Sequence, residues 1–125
     1  MATTYEINAE RGVIVVTVTG DLTDEGLFDM HRRLAEDPAV RRDFALLFDL
    51  REAHGESVTT DGVRALAGLP LVLSPESRRA VVVPTDLGFG MARVYGMRRE
   101  AKGSKVEVFR DFAEACRWIG LENGG

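Results

Sequence analysis

Phe44-Ala45-Leu46-Leu47-Phe48-Asp49-Leu50 is an apolar run interrupted only by a carboxylate near its end. A segment with no polar side to offer water predicts a strand covered on both faces, the arrangement of a largely parallel sheet flanked by helices. The next stretch, Arg51-Glu52-Ala53-His54-Gly55-Glu56-Ser57-Val58-Thr59-Thr60-Asp61-Gly62, is polar and turn-rich, and helical apolar spacing resumes at Val63. A loop leaving the carboxyl end of a buried strand is where open α/β sheets gather ligands and switches, so this is the first place to look for a site.

The remaining elements fall around that strand. Tyr5 to Ile7 and Val13 to Thr19 are β-rich and separated by Asn8-Ala9-Glu10-Arg11-Gly12, which predicts an opening antiparallel hairpin. Thr23 before Asp24 and Glu25 is a helix cap followed by first-turn carboxylates, Leu27, Met30 and Leu34 share one face, and Asp37-Pro38 ends the helix. Val63, Leu66 and Ala67 mark a second helix that Pro70 stops. Ala80 to Val83 is a short buried strand, and Leu87, Met91, Val94 and Ala101 trace a further helix. Lys105 to Phe109 gives a last strand. Asp111 with Glu114 forms a capping box for a final helix whose inward stripe is Phe112, Ala115, Cys116 and Ile119. The order β-β-α-β-α-β-α-β-α needs right-handed crossovers and predicts an α/β fold with a mixed, mainly parallel sheet of about five strands and four helices.

Size and charge narrow the function classes. The 125 residues make one domain, 1–125, with 45% hydrophobic and 29% charged residues, a globular composition. A net charge of -4 argues against a nucleic-acid binder, which needs cations to neutralise phosphates. One cysteine cannot form an internal disulfide, and Met1 to Glu6 lacks a basic and then apolar leader, so the expected location is cytoplasmic. The longest apolar stretch, Ala65 to Leu73, carries Gly68 and Pro70 and falls well short of the roughly 20 residues that span a bilayer.

Candidate chemistry is sparse. His54 between Glu52 and Glu56 has the residue types of a metal ligand or a general base, but with neither a Cys partner nor a second His at ligand spacing it reads as a solvated histidine. Gly88-Phe89-Gly90 lies where a phosphate cradle would, yet Arg93 replaces the third glycine, and close helix-to-sheet packing explains the pair. Arg93, Arg98, Arg99, Lys102 and Lys105 make that helix and its exit basic, either as a solvated face or for an anionic partner. Leu69-Pro70-Leu71-Val72-Leu73 is too apolar for a plain exposed loop; burial in the domain, a dimer contact and the lip of an apolar groove all account for it. Cys116 reads as an inert core residue.

In this order, Gly20-Asp21-Leu22-Thr23 opening the first helix, Leu47-Phe48-Asp49-Leu50 at the buried strand, Phe89-Gly90-Met91-Ala92-Arg93, and Val108-Phe109-Arg110 with Ala115 and Trp118-Ile119 resemble the STAS superfamily of anti-sigma factor antagonists. The resemblance covers nearly the whole chain and is nearest to the SpoIIAA-like bacterial proteins that are compared with CRAL-TRIO lipid-binding domains. It implies a small module without catalysis that binds a protein partner or an apolar ligand and often pairs with itself. In the antagonist branch an Asp-Ser-Ser-Gly helix start carries a serine that a partner kinase phosphorylates. Here the matching residues are Thr59-Thr60-Asp61-Gly62, so Asp61 stands in the acceptor position and a cap by Thr60 or Asp61 is the expected local role.

Together these readings predict a cytoplasmic binding module with no cofactor or metal. Its contact surface is expected on the second and third helices through Leu71, Leu73, Met91 and Tyr95, with Arg93 and Arg98 on the rim for any anionic group. A homodimer is expected. The alternative is a phosphorylation-dependent regulator of an anti-sigma-type kinase, working through Ser57, Thr59, Thr60 and Asp61. An enzyme is not expected, since no acid-base pair or activated nucleophile stands at credible spacing.

Overall fold

The computed structural model describes residues 2–70, 72–83 and 105–121. Five strands and three helices lie among them, in the order β1 (Ala2–Asn8), β2 (Val13–Thr23), α1 (Asp24–Glu36), β3 (Ala45–Ser57), α2 (Thr60–Gly68), β4 (Arg78–Val82), β5 (Lys105–Phe109) and α3 (Phe112–Ile119). The opening hairpin forms as its turn chemistry dictates. Asn8 accepts the Arg11 amide on its side chain and the Gly12 amide on its carbonyl, and Gly12 takes a positive φ of 67° that L side chains avoid. The strands line up as β1-β2-β3-β4-β5, with β1 antiparallel to β2 and every later pair parallel. The mixed, mainly parallel sheet is therefore present. The helix expected over Leu87 to Ala101 lies outside the described residues.

Alternation along the strands sends neighbouring side chains to opposite faces. Ile14, Val16, Val18, Phe48 and Val81 join Leu27, Met30 and Leu34 of α1 and Leu66 of α2 in one core. Val13, Leu47, Ala80 and Val82 face the other way and meet Ala115, Cys116 and Ile119 of α3, with Leu121 just beyond the helix. Leu47 is fully buried, as a strand covered on both faces requires.

The strand does not stop at Leu50. β3 runs on to Ser57, and the polar stretch expected as a loop pairs with an equally extended β2: Thr19 opposite Glu52, Gly20 opposite Ala53, Asp21 opposite His54 and Thr23 opposite Ser57. Irregularities between Thr17 and Thr19 and between Asp21 and Thr23 absorb the extra residues of β3. Because β4 pairs with Leu46 to Asp49, the extension is, among the described residues, a two-stranded ribbon running past the end of β4. Gly20 to Thr23 accordingly belong to β2, and the first helix begins at Asp24, one residue after the Thr23 cap.

The apolar segment after α2 turns inward. Leu73 is 3% exposed within the larger core, and Leu69 and Val72 pack half-buried against it. Arg79, buried in β4, fastens this segment by donating to the carbonyls of Leu73 at 3.2 Å and Ser77 at 2.9 Å. Arg42 adds a second tie, its carbonyl accepting from the Ser74 amide and the Ser77 hydroxyl. Of the three readings open for Leu69 to Leu73, burial in the domain holds at Leu69, Val72 and Leu73.

Candidate functional site

The ribbon delivers two parallel strand ends side by side, and each launches a helix in the same way. Thr23 caps α1 by accepting the Gly26 amide on its hydroxyl at 3.0 Å, and Thr59 caps α2 by accepting the Gly62 amide at 2.9 Å. The underlying pattern, Thr-x-x-Gly with carboxylates in between, occurs twice: Thr23-Asp24-Glu25-Gly26 and Thr59-Thr60-Asp61-Gly62. The α2 cap is thus Thr59, in place of the expected Thr60 or Asp61, because only Thr59 has the extended backbone that turns a side chain back onto the third amide of the helix.

Asp24, the first residue of α1, joins the two helix starts. Its carboxylate accepts from the Thr59 amide at 3.0 Å and from the Thr59 hydroxyl at 2.7 Å. A side chain added at Gly62 would overlap that carboxylate, so glycine is required here by close approach rather than by backbone torsion. The charge is well placed, because α2 presents the positive end of its dipole to Asp24 and to its own Asp61. The Thr59 hydroxyl donates to Asp24 while accepting from Gly62, which uses the group in both directions.

The expected switch residues take distinct places around this junction. Ser57 is the last residue of β3 and is exposed; Thr60 and Asp61 are exposed in the first turn of α2; Thr59 is exposed but engaged as described. Of the expected binding residues, Leu73 is in the core, so its side chain contacts protein. Leu71, Met91, Arg93, Tyr95 and Arg98 lie outside the described residues. His54 sits on the ribbon with its Nδ1 3.5 Å from Asp21 Oδ1, both side chains open to solvent. Among the described residues no group of three or more His, Cys, Asp or Glu is placed to hold a metal ion.

A second polar cluster, not anticipated from sequence, lies across the sheet where β3 leaves β4. Asp49, 7% exposed, receives a two-pronged guanidinium contact from Arg51, Nε to Oδ1 and Nη2 to Oδ2 both at 2.9 Å, and its Oδ1 also accepts the Arg51 amide. The same guanidinium stacks 4.0 Å above the Phe112 ring centroid in the first turn of α3. Asp49 thereby strengthens the charged form of Arg51. Cys116 lies fully buried behind this pair, and burial raises its thiol pKa, so the group is held as an unreactive thiol. Opposite charges two residues apart on one strand face were the available signal for the pair.

A third polar contact anchors the hairpin. The Tyr5 hydroxyl donates to Asp37 at the end of α1, which holds the Asp37 carboxyl below its ordinary value, with help from the Ala39 amide, and raises the Tyr5 phenol. Arg33 stacks over the Tyr5 ring and donates to the Thr3 carbonyl, which covers part of the β1 segment.

No family model and no curated protein matches the sequence. Among solved structures, the chain is similar to the crystal structure of an uncharacterized DUF3478-family protein with a SpoIIAA-like fold from Shewanella loihica PV-4. The two share 18% identity over 94% of this chain and 92% of that one, with a TM-score of 0.59. The fold is therefore SpoIIAA-like, as the sequence resemblance implied. No helix among the described residues is long and apolar enough to cross a membrane.

Proposed function

We propose that this protein is a binding module without catalysis, and that it receives a protein partner on the surface where the N-termini of α1 and α2 meet. The observation that carries the reading is the Asp24 carboxylate seated on Thr59 against Gly62, which spends the local polar groups on fixing backbone shape. Preorganised backbone lowers the ordering cost of association, and exposed Thr60, Asp61, Arg64 and Ala65 then offer a patterned contact face. Asp49 is likewise consumed by Arg51, so its chemistry supports packing. The SpoIIAA-like fold is compatible with such a role and does not itself define a partner.

The test is affinity purification from the native cytoplasm of the wild-type protein beside an Asp61→Lys/Arg64→Glu variant, followed by titration of each recovered partner. A saturable partner that binds wild type and loses at least tenfold in affinity with the folded variant supports the reading. Partners bound equally by both, or none that saturates, removes it. Native mass spectrometry of the same preparation separates the related possibilities: an apolar adduct would indicate a ligand carrier, and a doubled mass a homodimer.

Phosphorylation-dependent regulation is the second reading, favoured by the exposure of Thr60 in the first turn of α2, where the helix dipole stabilises added negative charge. Thr59 is the poorer acceptor, because phosphate there would face the Asp24 carboxylate. Denatured intact mass with site mapping tests this reading. An unphosphorylated chain under every growth condition eliminates it.

A further inference from the structure

β1 is an outer strand of the sheet, with β2 as its one neighbour among the described residues. It pairs with β2 over its whole length, from Ala2 opposite Thr19 to Asn8 opposite Val13, with no register shift. An outer strand ordinarily carries a device that discourages further pairing, such as a bulge, a proline, a lysine or short length. β5, at the other side of the sheet, is five residues long and begins on exposed Lys105. β1 runs for seven residues, Ala2-Thr3-Thr4-Tyr5-Glu6-Ile7-Asn8, with none of those devices and with β-branched and aromatic residues that favour an extended chain.

Two contacts establish which backbone groups of β1 point outward. The Asn8 carbonyl accepts the Gly12 amide and so faces β2, and the direction of amide and carbonyl alternates from residue to residue along a strand. Thr3, Tyr5 and Ile7 therefore turn these groups away from β2. Arg33, arriving from α1, donates to the Thr3 carbonyl at 3.3 Å on that outer side and leaves its second lone pair open. Tyr5 is the middle of the outward set. Antiparallel pairing about a two-fold axis at Tyr5 opposes Tyr5 to its own copy, Thr3 to Ile7 and Thr4 to Glu6. Tyr5 and Ile7 pack toward the α1 face, which brings the two tyrosines together there, while Thr4 and Glu6 are exposed. The one charged residue of the strand, Glu6, meets a hydroxyl, so no like charges are opposed.

We infer that β1 is the contact between two copies of this chain, which pair antiparallel about Tyr5 and join their sheets into one. The inference does not rest on the partner surface proposed above, whose contact residues lie on α2. A two-fold contact of this kind closes on itself and stops at the dimer. One strand pair is a small interface, so the association is weak and depends on concentration.

The register makes the test a matter of charge sign at one exposed position. The full chain is followed by sedimentation equilibrium over a concentration series at low salt, as wild type and with Thr4 replaced. Thr4→Glu sets a carboxylate opposite Glu6 of the second copy twice per dimer and should raise the dissociation constant about threefold or more. Thr4→Lys should lower it by a similar factor, and Thr4→Glu/Glu6→Lys should bring it back to the wild-type range. An unchanged unfolding midpoint at low protein concentration shows that each variant remains folded. A wild-type chain that stays monomeric at every concentration overturns the inference. A dimer indifferent to the sign of the charge at position 4 overturns it equally, since the copies then meet elsewhere.

Discussion

The two faces of the sheet are built on different terms. The α1–α2 face is filled by large side chains, among them Leu27, Met30, Leu34, Phe44, Phe48 and Leu66, and its helix starts are tied together by Asp24 and Thr59. The α3 face has a smaller buried set, Val13, Leu47, Val82, Ile119 and Leu121 around the small Ala80, Ala115 and Cys116, with Phe109, Phe112 and Trp118 packed half-buried against it and Arg51 and Arg78 stacked at its margin. Burial stabilises in proportion to apolar area, so most of the cohesion lies on the first face. A SpoIIAA-like sheet covered on both sides need not be covered equally: here the larger apolar cluster lies with α1 and α2 and the smaller one with α3.

The largest expected effects come from truncating one core residue on each face. Phe44→Ala should cost about 3–5 kcal/mol of global stability, by lost transfer and cavity formation. Cys116→Ala removes one buried atom and should cost about 1 kcal/mol. Equal losses in chemical denaturation would break the comparison. Next comes Gly62→Ala, which should cost about 1–3 kcal/mol because the new methyl meets the Asp24 carboxylate. The same change in an Asp24→Ala background should cost far less, and an additive double-mutant cycle would show that Asp24 does not set the glycine requirement. Removing the α2 cap by Thr59→Ala should cost about 1 kcal/mol, and it should be strongly non-additive with Asp24→Ala, since both changes delete one contact.

The smallest effect is a pH dependence confined to the first face. The folded Asp37 carboxyl lies below its ordinary value of 3.8, so its contribution is present above that value and is lost as pH falls through the depressed folded value. Tyr5 has the opposite sign: its folded pKa lies above 10.0, and its contribution is lost as pH rises through that folded value. Tyr5→Phe should therefore flatten both limbs of a thermal-midpoint-against-pH curve while leaving its centre close to wild type. An unchanged acid limb would remove Tyr5 from the account.

Much of the first face could be read from the residues. The spacing of Leu27, Met30 and Leu34, the cap at Thr23 and the hairpin turn at Asn8 to Gly12 are local signals, and local signals survive in a sequence. Lys105–Phe109 and the Asp111 cap of α3 were legible for the same reason. The ribbon was not. Glu52, His54 and Gly55 look like a loop because two irregularities in pairing break the alternation that marks a strand, and the partner residues Thr19 to Thr23 are more than thirty positions away. The contact between Asp24 and Thr59 spans a similar distance and has no periodicity at all. A clue was nevertheless present, in the repetition of Thr-x-x-Gly at the two helix starts. The resemblance to SpoIIAA-like proteins placed a helix start at Thr59 to Gly62, where α2 does begin, and only the geometry joined it to α1, identifying Thr59 as its cap and Asp24 as the reason for Gly62.

The most direct test of the proposed partner surface uses the two faces as each other's control. A photo-crosslinking amino acid is placed at Ala65 on α2 or at Ala113 on α3, both exposed helical positions, and each protein is irradiated in its own cells. A discrete, saturable crosslinked species from position 65 and not from position 113 is the predicted result. Identical products from both positions, or products from position 113 alone, would contradict the assignment of the partner surface to α1 and α2.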